Sequence, residues 1–383
     1  MVLVSAACVN VTARGLRCVR NAVLAVLALG ACGYMAALGS EMLGVAGCAR
    51  SLLLPAPEMG SADVHIGGAT APVLRCNGAA ALCARRYSEV AFACMHNAFA
   101  TSQDGVAVAQ HRGCLRSALV AGMRAFMLDV HLSAGGSLAL CHVACAAGSV
   151  SLAATLDTFR EFLSLNPSEV LTVFWELGYD ARFEAGAVPS SDVALLKTLL
   201  VAAYAEAGLG PYLYEKRQFM WPSLGEMVRA NTRLVTFSAV RTPVDAPWDL
   251  YFSEFVVQTP WGADNRQQLR AQCELPGLVV YTPGRSMIIV NHFTALGAAG
   301  VGTATSGALA GAMGADALRD VNRSPWMEQR LVECAKCLGL FPNFVAVDFW
   351  ESSDVLAAVA LFNRVPLPAR ARVFARNTTH CHR

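Results

Sequence analysis

Apolar residues along the chain fall into short runs without internal alternation, separated by stretches with helical spacing. Val90–Cys94, Ala125–Val130, Val170–Leu177, Leu234–Ser238, Val256–Thr259, Met287–Val290 and Phe344–Val347 are apolar on both faces of a two-residue repeat. That is the pattern of strands buried on both sides. Ser151–Leu165 and Ser191–Ala207 carry apolar positions at helical intervals between them. Buried strands separated by helices predict a parallel sheet, and this many within one body favour closure into an α/β, TIM-like (β/α) barrel. An open doubly wound sheet fits less well, because no Gly-x-Gly-x-x-Gly turn follows the first strand and no Walker sequence occurs.

The N-terminus follows a different pattern. Arg14, Arg17 and Arg20 precede an uncharged run over residues 21–40. At roughly 20 residues this run is long enough to span a bilayer, and the leading arginines keep its first end cytoplasmic. The expected organisation is a cytoplasmic stretch over 1–20, a transmembrane signal anchor over 21–40, a stalk over 41–75, a single barrel over 76–365 and a tail over 366–383. The small residues Ala36, Ala37, Gly39 and Ser40 also suit a cleaved signal peptide. The catalytic body is expected in the lumen or outside the cell in either case, anchored in the first and secreted in the second.

Composition adds to this picture in two ways. The formal net charge is +2 over 383 residues, which gives no reason to expect nucleic acid as a partner. There are fourteen cysteines, most of them beyond residue 40, which suits an oxidising compartment. Cys334 and Cys337 form a CxxC pair without a second pair at zinc-ribbon spacing, so a disulfide or free thiol is expected there. A Cys141–Cys145 disulfide would stiffen the loop carrying His142. Asn322 and Asn377 stand in glycosylation sequons.

Candidate chemistry lies where strands end, because barrel enzymes draw their reacting groups from the C-terminal ends of strands. The first strand leads into His96 and Asn97, the second ends in Asp129 and His131, a hairpin follows with His142, the third ends in Glu176 and the last in Asp348. Two imidazoles at neighbouring strand ends can supply the base and the acid that phosphodiester cleavage needs near neutral pH. Asn97, Asp129 and Glu176 offer hard oxygen donors suited to Ca²⁺, and less well to Mg²⁺; a hydrogen-bonded network without metal is the alternative. Asp348 is expected to orient His96, with a helix cap as its other reading. Trp221, Arg241 and Trp261 are read either as substrate contacts or as packing.

The segments HNAFA (His96–Ala100), GMRAFMLDVH (Gly122–His131), LALCHVAC (Leu138–Cys145), NPSEVLTVFWE (Asn166–Glu176), IIVNHF (Ile288–Phe293) and PNFVAVDFW (Pro342–Trp350) resemble the X-region of the phosphatidylinositol-specific phospholipase C superfamily. They are most similar to its small single-domain members. The resemblance implies a distorted TIM-like barrel, with His96 as the base acting on an inositol 2-hydroxyl and His142 as the acid protonating the leaving oxygen. It implies Ca²⁺ ligands at Asn97, Asp129 and Glu176, since metal-independent bacterial members carry arginine in place of Asp129. Asp348 matches the aspartate that partners the first histidine. One departure is Met127, which stands where calcium-dependent members carry a glutamate; a thioether suits a hard cation poorly, so metal independence stays open. The expected substrate is a phospholipid or another phosphodiester at a membrane. A barrel that binds lipid with weak or absent chemistry, and a glycerophosphodiesterase-like enzyme, are the alternatives.

Overall fold

The computed structural model describes residues 48, 51–54, 73–107, 109–132, 136–141, 145, 148–177, 190–241, 246–263, 265–275, 281–294 and 321–365. The expected membrane segment over 21–40, the tail over 366–383, Asn377 and His142 lie outside these residues. Among the described residues, no helix is long and apolar enough to cross a membrane.

The strands are β1 (Phe92–Met95), β2 (Ala125–Leu132), β3 (Leu138–Leu140), β4 (Val150–Ser151), β5 (Leu171–Leu177), β6 (Leu234–Ser238), β7 (Asp249–Tyr251), β8 (Val256–Gln258), β9 (Met287–His292) and β10 (Phe344–Val347). The helices are α1 (Ala80–Cys83), α2 (Leu115–Ala121), α3 (Leu152–Leu165), α4 (Ser190–Glu206), α5 (Leu224–Arg229), α6 (Phe252–Phe255), α7 (Arg266–Ala271), α8 (Trp326–Leu338) and α9 (Val355–Phe362). Eight parallel strands follow the order β7-β6-β5-β2-β1-β10-β9-β8, and the antiparallel hairpin β3–β4 extends from β2. The two ends of this path, β7 and β8, are joined only by the single turn of α6. The expected barrel is therefore present in part, as a parallel-strand α/β half-barrel with an open seam between β7 and β8.

Two apolar layers explain why its strands read as unbroken apolar runs. Phe92, Cys94, Ala125, Phe174, Phe237, Ile289, Phe344 and Ala346 fill the inside of the curved sheet. Ala93, Phe126, Leu128, Val173, Trp175, Ile288, Val290 and Val345 face outward onto the helices. α3 shows how a helix joins the outer layer: Leu152, Leu156, Phe159 and Leu163 recur on one face and are buried, and the Ser151 side chain accepts a hydrogen bond from Ala154 N. The helix stops at Asn166, before Pro167, which cannot continue it. α8 ends at Gly339, whose φ of 63° is the left-handed conformation open to glycine.

Within the segment expected as a stalk, residues 48 and 51–54 are tied to the body. Cys48 is disulfide-bonded to Cys114, Leu52 is fully buried, and the Asn166 side chain donates to Leu52 O and accepts from Leu54 N. Ala, Gly and Pro around this segment hid the single buried leucine that anchors it. Disulfides also join Cys76 to Cys83, Cys141 to Cys145 and Cys273 to Cys334. Cys337 is an exposed free thiol, so the CxxC pair is divided between the two roles expected for it.

Candidate functional site

Alternation along the strands selects the side chains that reach the barrel mouth. Because every second residue shares a face, the inside-facing series Phe92, Cys94 continues to His96. Ala125 and Met127 continue to Asp129 and His131, Phe174 to Glu176, Met287 and Ile289 to Asn291 and Phe293, and Phe344 and Ala346 to Asp348. Five parallel strands thus change from apolar to polar on the same face at the same end. Physical necessity does not demand this, since the opposite end of the barrel is plugged by aromatic rings.

His96 is the best-defined group. Its Nδ1 lies 2.9 Å from Asp348 Oδ1, and Asp348 is buried while the imidazole is partly exposed. A carboxylate at Nδ1 keeps the proton there and leaves the Nε2 lone pair for chemistry. The ring lies flat on Phe293, with centroids 3.7 Å apart and planes within 4°. Backbone contacts hold both partners. His96 N donates to Val347 O, His111 Nε2 donates to His96 O, and Asn322 Nδ2 donates to Asp348 O. Burial lowers the pKa of His111 to about 4, so it serves as a neutral donor behind His96. Asn97 and Phe349, which follow β1 and β10 closely, adopt left-handed φ values of 45° and 49°. Such conformations are uncommon for residues other than glycine and here occur on both flanks of the His96–Asp348 pair.

The oxygen donors expected from sequence converge in part. Asp129 and Glu176 are register partners on adjacent β2 and β5, so their side chains leave the same face side by side. Asn97 is buried and its Nδ2 has no hydrogen-bond partner among the described residues. Asn291 Oδ1 is likewise unpartnered. Buried polar atoms ordinarily find partners, so Asn291 Oδ1 leaves an acceptor and Asn97 Nδ2 a donor open to a hydrogen bond. Two carboxylates with an amide are a donor set that fits a hard divalent cation. Met127 points into the same interior one repeat below Asp129 and packs on the apolar layer. Among the described residues, no group of three His, Cys, Asp or Glu side chains is arranged to hold a metal.

His142 itself lies outside the described residues, but its neighbour is placed. Cys141 N donates to Asp129 O, and Cys141 is bonded to Cys145. The β2–β3 hairpin therefore returns the chain to Asp129 one residue before His142.

Some mouth residues were missed. Asn291 and Phe293 stand in the quoted segment IIVNHF, and counting in twos from Ile289 would have found both. Gln258, whose Oε1 accepts from Asn291 Nδ2, ends the short strand β8 and gave no such signal. His111 had no periodic context. His292, between Asn291 and Phe293, faces outward, where its Nε2 donates to Val321 O and its Nδ1 accepts from Arg330.

The structure also places the remaining candidates. Trp221 is buried at the opposite end of the barrel against Tyr87, with its Nε1 donating to Arg285 O, so it is packing. Arg241 pairs with Glu254 on the surface. Trp261 is exposed beyond β8. Asn322 is buried with its amide committed to Asp348 O, which closes that sequon to a glycan.

With this geometry in place, comparisons with known proteins become informative. The sequence pattern of the PI-PLC X family matches residues 82–363. The chain belongs to the PI-PLC X family. That span runs from within α1 to one residue past α9 and includes every mouth residue named above. A curated relative, the PI-PLC X domain-containing protein 1 of Arthroderma benhamiae, is 26% identical over 312 residues, covering 77% of this chain and 91% of its own. An uncharacterized secreted protein of the same fungus is 23% identical over 230 residues, covering 57% of this chain and 47% of its own. Among solved structures, a variant of the phosphatidylinositol-specific phospholipase C of Staphylococcus aureus aligns with a TM-score of 0.47 at 13% identity, over 74% of this chain and 94% of that one. A calcium-dependent phosphoinositol-specific phospholipase C from Pseudomonas aligns with a TM-score of 0.32 at 12% identity, over 73% and 94%.

Proposed function

We propose that this PI-PLC X protein is a phosphoric diester hydrolase that cleaves an inositol phospholipid or a related diester by paired histidine catalysis. The observation that carries the reading is the His96–Asp348 contact at the polar end of an otherwise apolar barrel. His96 Nε2 takes the proton of the substrate hydroxyl next to the phosphate as that oxygen bonds to phosphorus. The bond from phosphorus to the lipid oxygen breaks, and His142 gives that oxygen its proton. The product is a cyclic phosphate and a free alcohol; in a second step His142 and His96 exchange roles and water opens the ring. Asp348 fixes the His96 tautomer and stabilises the imidazolium that forms.

Asn97, Asp129 and Glu176 are the residues that would hold Ca²⁺, with Mg²⁺ less suited to an open site. When bound, such an ion offsets the charge that builds on the phosphate oxygens. The disulfides suit an oxidising compartment, so the substrate belongs to an external or lumenal lipid leaflet. The body is held there by the 21–40 segment, or released if that segment is cleaved.

The test is turnover of phosphatidylinositol, a lysolipid and a glycosylphosphatidylinositol by the purified chain, with and without millimolar calcium. Cleavage of at least one, lost in His96→Ala, is expected. Equal turnover by wild type and His96→Ala would overturn the assignment, and lipid binding without turnover would instead favour a binding barrel.

A further inference from the structure

On the β7 side of the seam, a cavity of about 340 Å³ is lined from α4, β6, β7 and α6 and shares no residue with the mouth. Lys197, Ser238, Asp249, Arg241, Lys216 and Phe255 line it. Its inner side is a buried polar cluster: Lys197 of α4 forms an ion pair with Asp249 of β7 and donates to Ser238 Oγ at 3.2 Å, and Ser238 donates to Asp249 Oδ2 at 2.5 Å. Both charged side chains are at least nine-tenths buried. Asp249 Oδ1 has no hydrogen-bond partner among the described residues. A buried carboxylate oxygen left in this state calls for a donor such as a hydroxyl group.

The rest of the lining carries an excess of positive charge. Arg241 is matched by Glu254 and Lys197 by Asp249. Lys216 has no carboxylate partner among the described residues; its Nζ donates to the carbonyls of Gln218, Phe219 and Met220 and lies over Trp221. Arg285, also without a carboxylate partner there, shares the Phe255 ring with it, at 5.0 Å against 5.8 Å for Lys216. Arg285 lies behind the lining, and two neighbouring cations repel each other, so an anion bound beside Lys216 relieves that cost. Burial, with Arg285 beside it, lowers the Lys216 pKa to about 8, and burial lowers Lys197 to about 8.

We propose that the seam cavity is a second ligand site for a small hydroxylated anion, of the class of a polyol phosphate monoester. Its hydroxyls meet Asp249 Oδ1 and Ser238, its anionic group meets Lys216 and Arg241, and Phe255 and Tyr251 form apolar walls. The cavity's size suits a molecule of this kind, near the lower end of ligand pockets. Nothing in this reading requires the mouth to be active.

Titration calorimetry of the full chain in detergent, with glycerol 3-phosphate and with inorganic phosphate as probes, tests it. Saturable one-site binding of glycerol 3-phosphate is expected, undiminished in His96→Ala and about tenfold weaker for inorganic phosphate, which lacks the carbon-borne hydroxyls. Lys216→Met is expected to abolish it. Arg241→Gln, at an exposed position, is expected to weaken it by about tenfold. No saturable binding, or binding unchanged by both substitutions, or binding lost only in His96→Ala, would overturn the proposal. Equal affinity for the two probes would overturn its hydroxyl half.

Discussion

The two ends of the barrel are built from the same strands and have opposite characters. At the N-terminal end, Tyr87, Trp221, Phe92 and Phe344 stack ring against ring, with centroids 4.9 to 6.3 Å apart, and Tyr87 OH meets Thr172 Oγ1. At the C-terminal end the same inward face carries His96, Asp129, Glu176, Asn291 and Asp348. Rings that fill space stabilise without needing partners. Polar groups in the same environment cost free energy unless they are paired. The mouth has paired some of its groups and left Asn97 Nδ2 and Asn291 Oδ1 unpartnered. One end contributes stability, and the other carries the polar groups of the proposed site.

Substitutions at the two ends should therefore separate cleanly. His96→Ala is expected to lower kcat on any accepted diester by at least about 10³-fold, through loss of general base catalysis together with its oriented partner. Its thermal unfolding should stay near that of wild type, because the imidazole is partly exposed; a comparable loss of stability would mean that His96 is a structural residue. Trp221→Ala should show the reverse, costing roughly 3–5 kcal/mol in denaturant unfolding through the cavity it opens. Its kcat, measured well below the new midpoint, should be nearly unchanged.

His111, His292 and Glu351 predict a pH response. Burial lowers His111 to about 4 and His292 to about 3, both from 6.5. A depressed histidine pKa means the unfolded chain binds protons first, so stability is present above pH 6.5 and is lost as pH falls toward 4. Between pH 7 and 5 each histidine should remove about 2 kcal/mol. Glu351 runs the other way, since burial pushes its pKa up to about 7 and the folded state gains its proton first. It offsets about one histidine, leaving a net loss of about 2 kcal/mol. Urea unfolding at the two pH values measures this, and His292→Gln should nearly flatten the difference. An unchanged slope in that variant would mean that His292 does not remain neutral.

The smallest effect expected is at Met127. Met127→Glu adds a third carboxylate one repeat below Asp129, and should tighten calcium by about tenfold if Asn97, Asp129 and Glu176 are the ligands. Calorimetric titration with calcium is the measurement, and no gain in affinity would argue for the metal-free reading.

Much of this architecture was legible in the chain. Strands apolar on both faces have few alternatives to a parallel sheet between two layers, so the barrel and most strand positions followed from local pattern. Polar residues at strand ends marked His96, Asp129, Glu176 and Asp348 for the same reason. Tertiary structure decided what depends on distant partners: that Asp348 reaches His96 across 252 positions of chain, that Cys334 pairs with Cys273 and leaves its CxxC neighbour free, that Asn322 is buried, and that Lys197, Ser238 and Asp249 meet beside one cavity. Local periodicity fixes which way a side chain points. Only the order in which the strands pair decides what it meets there.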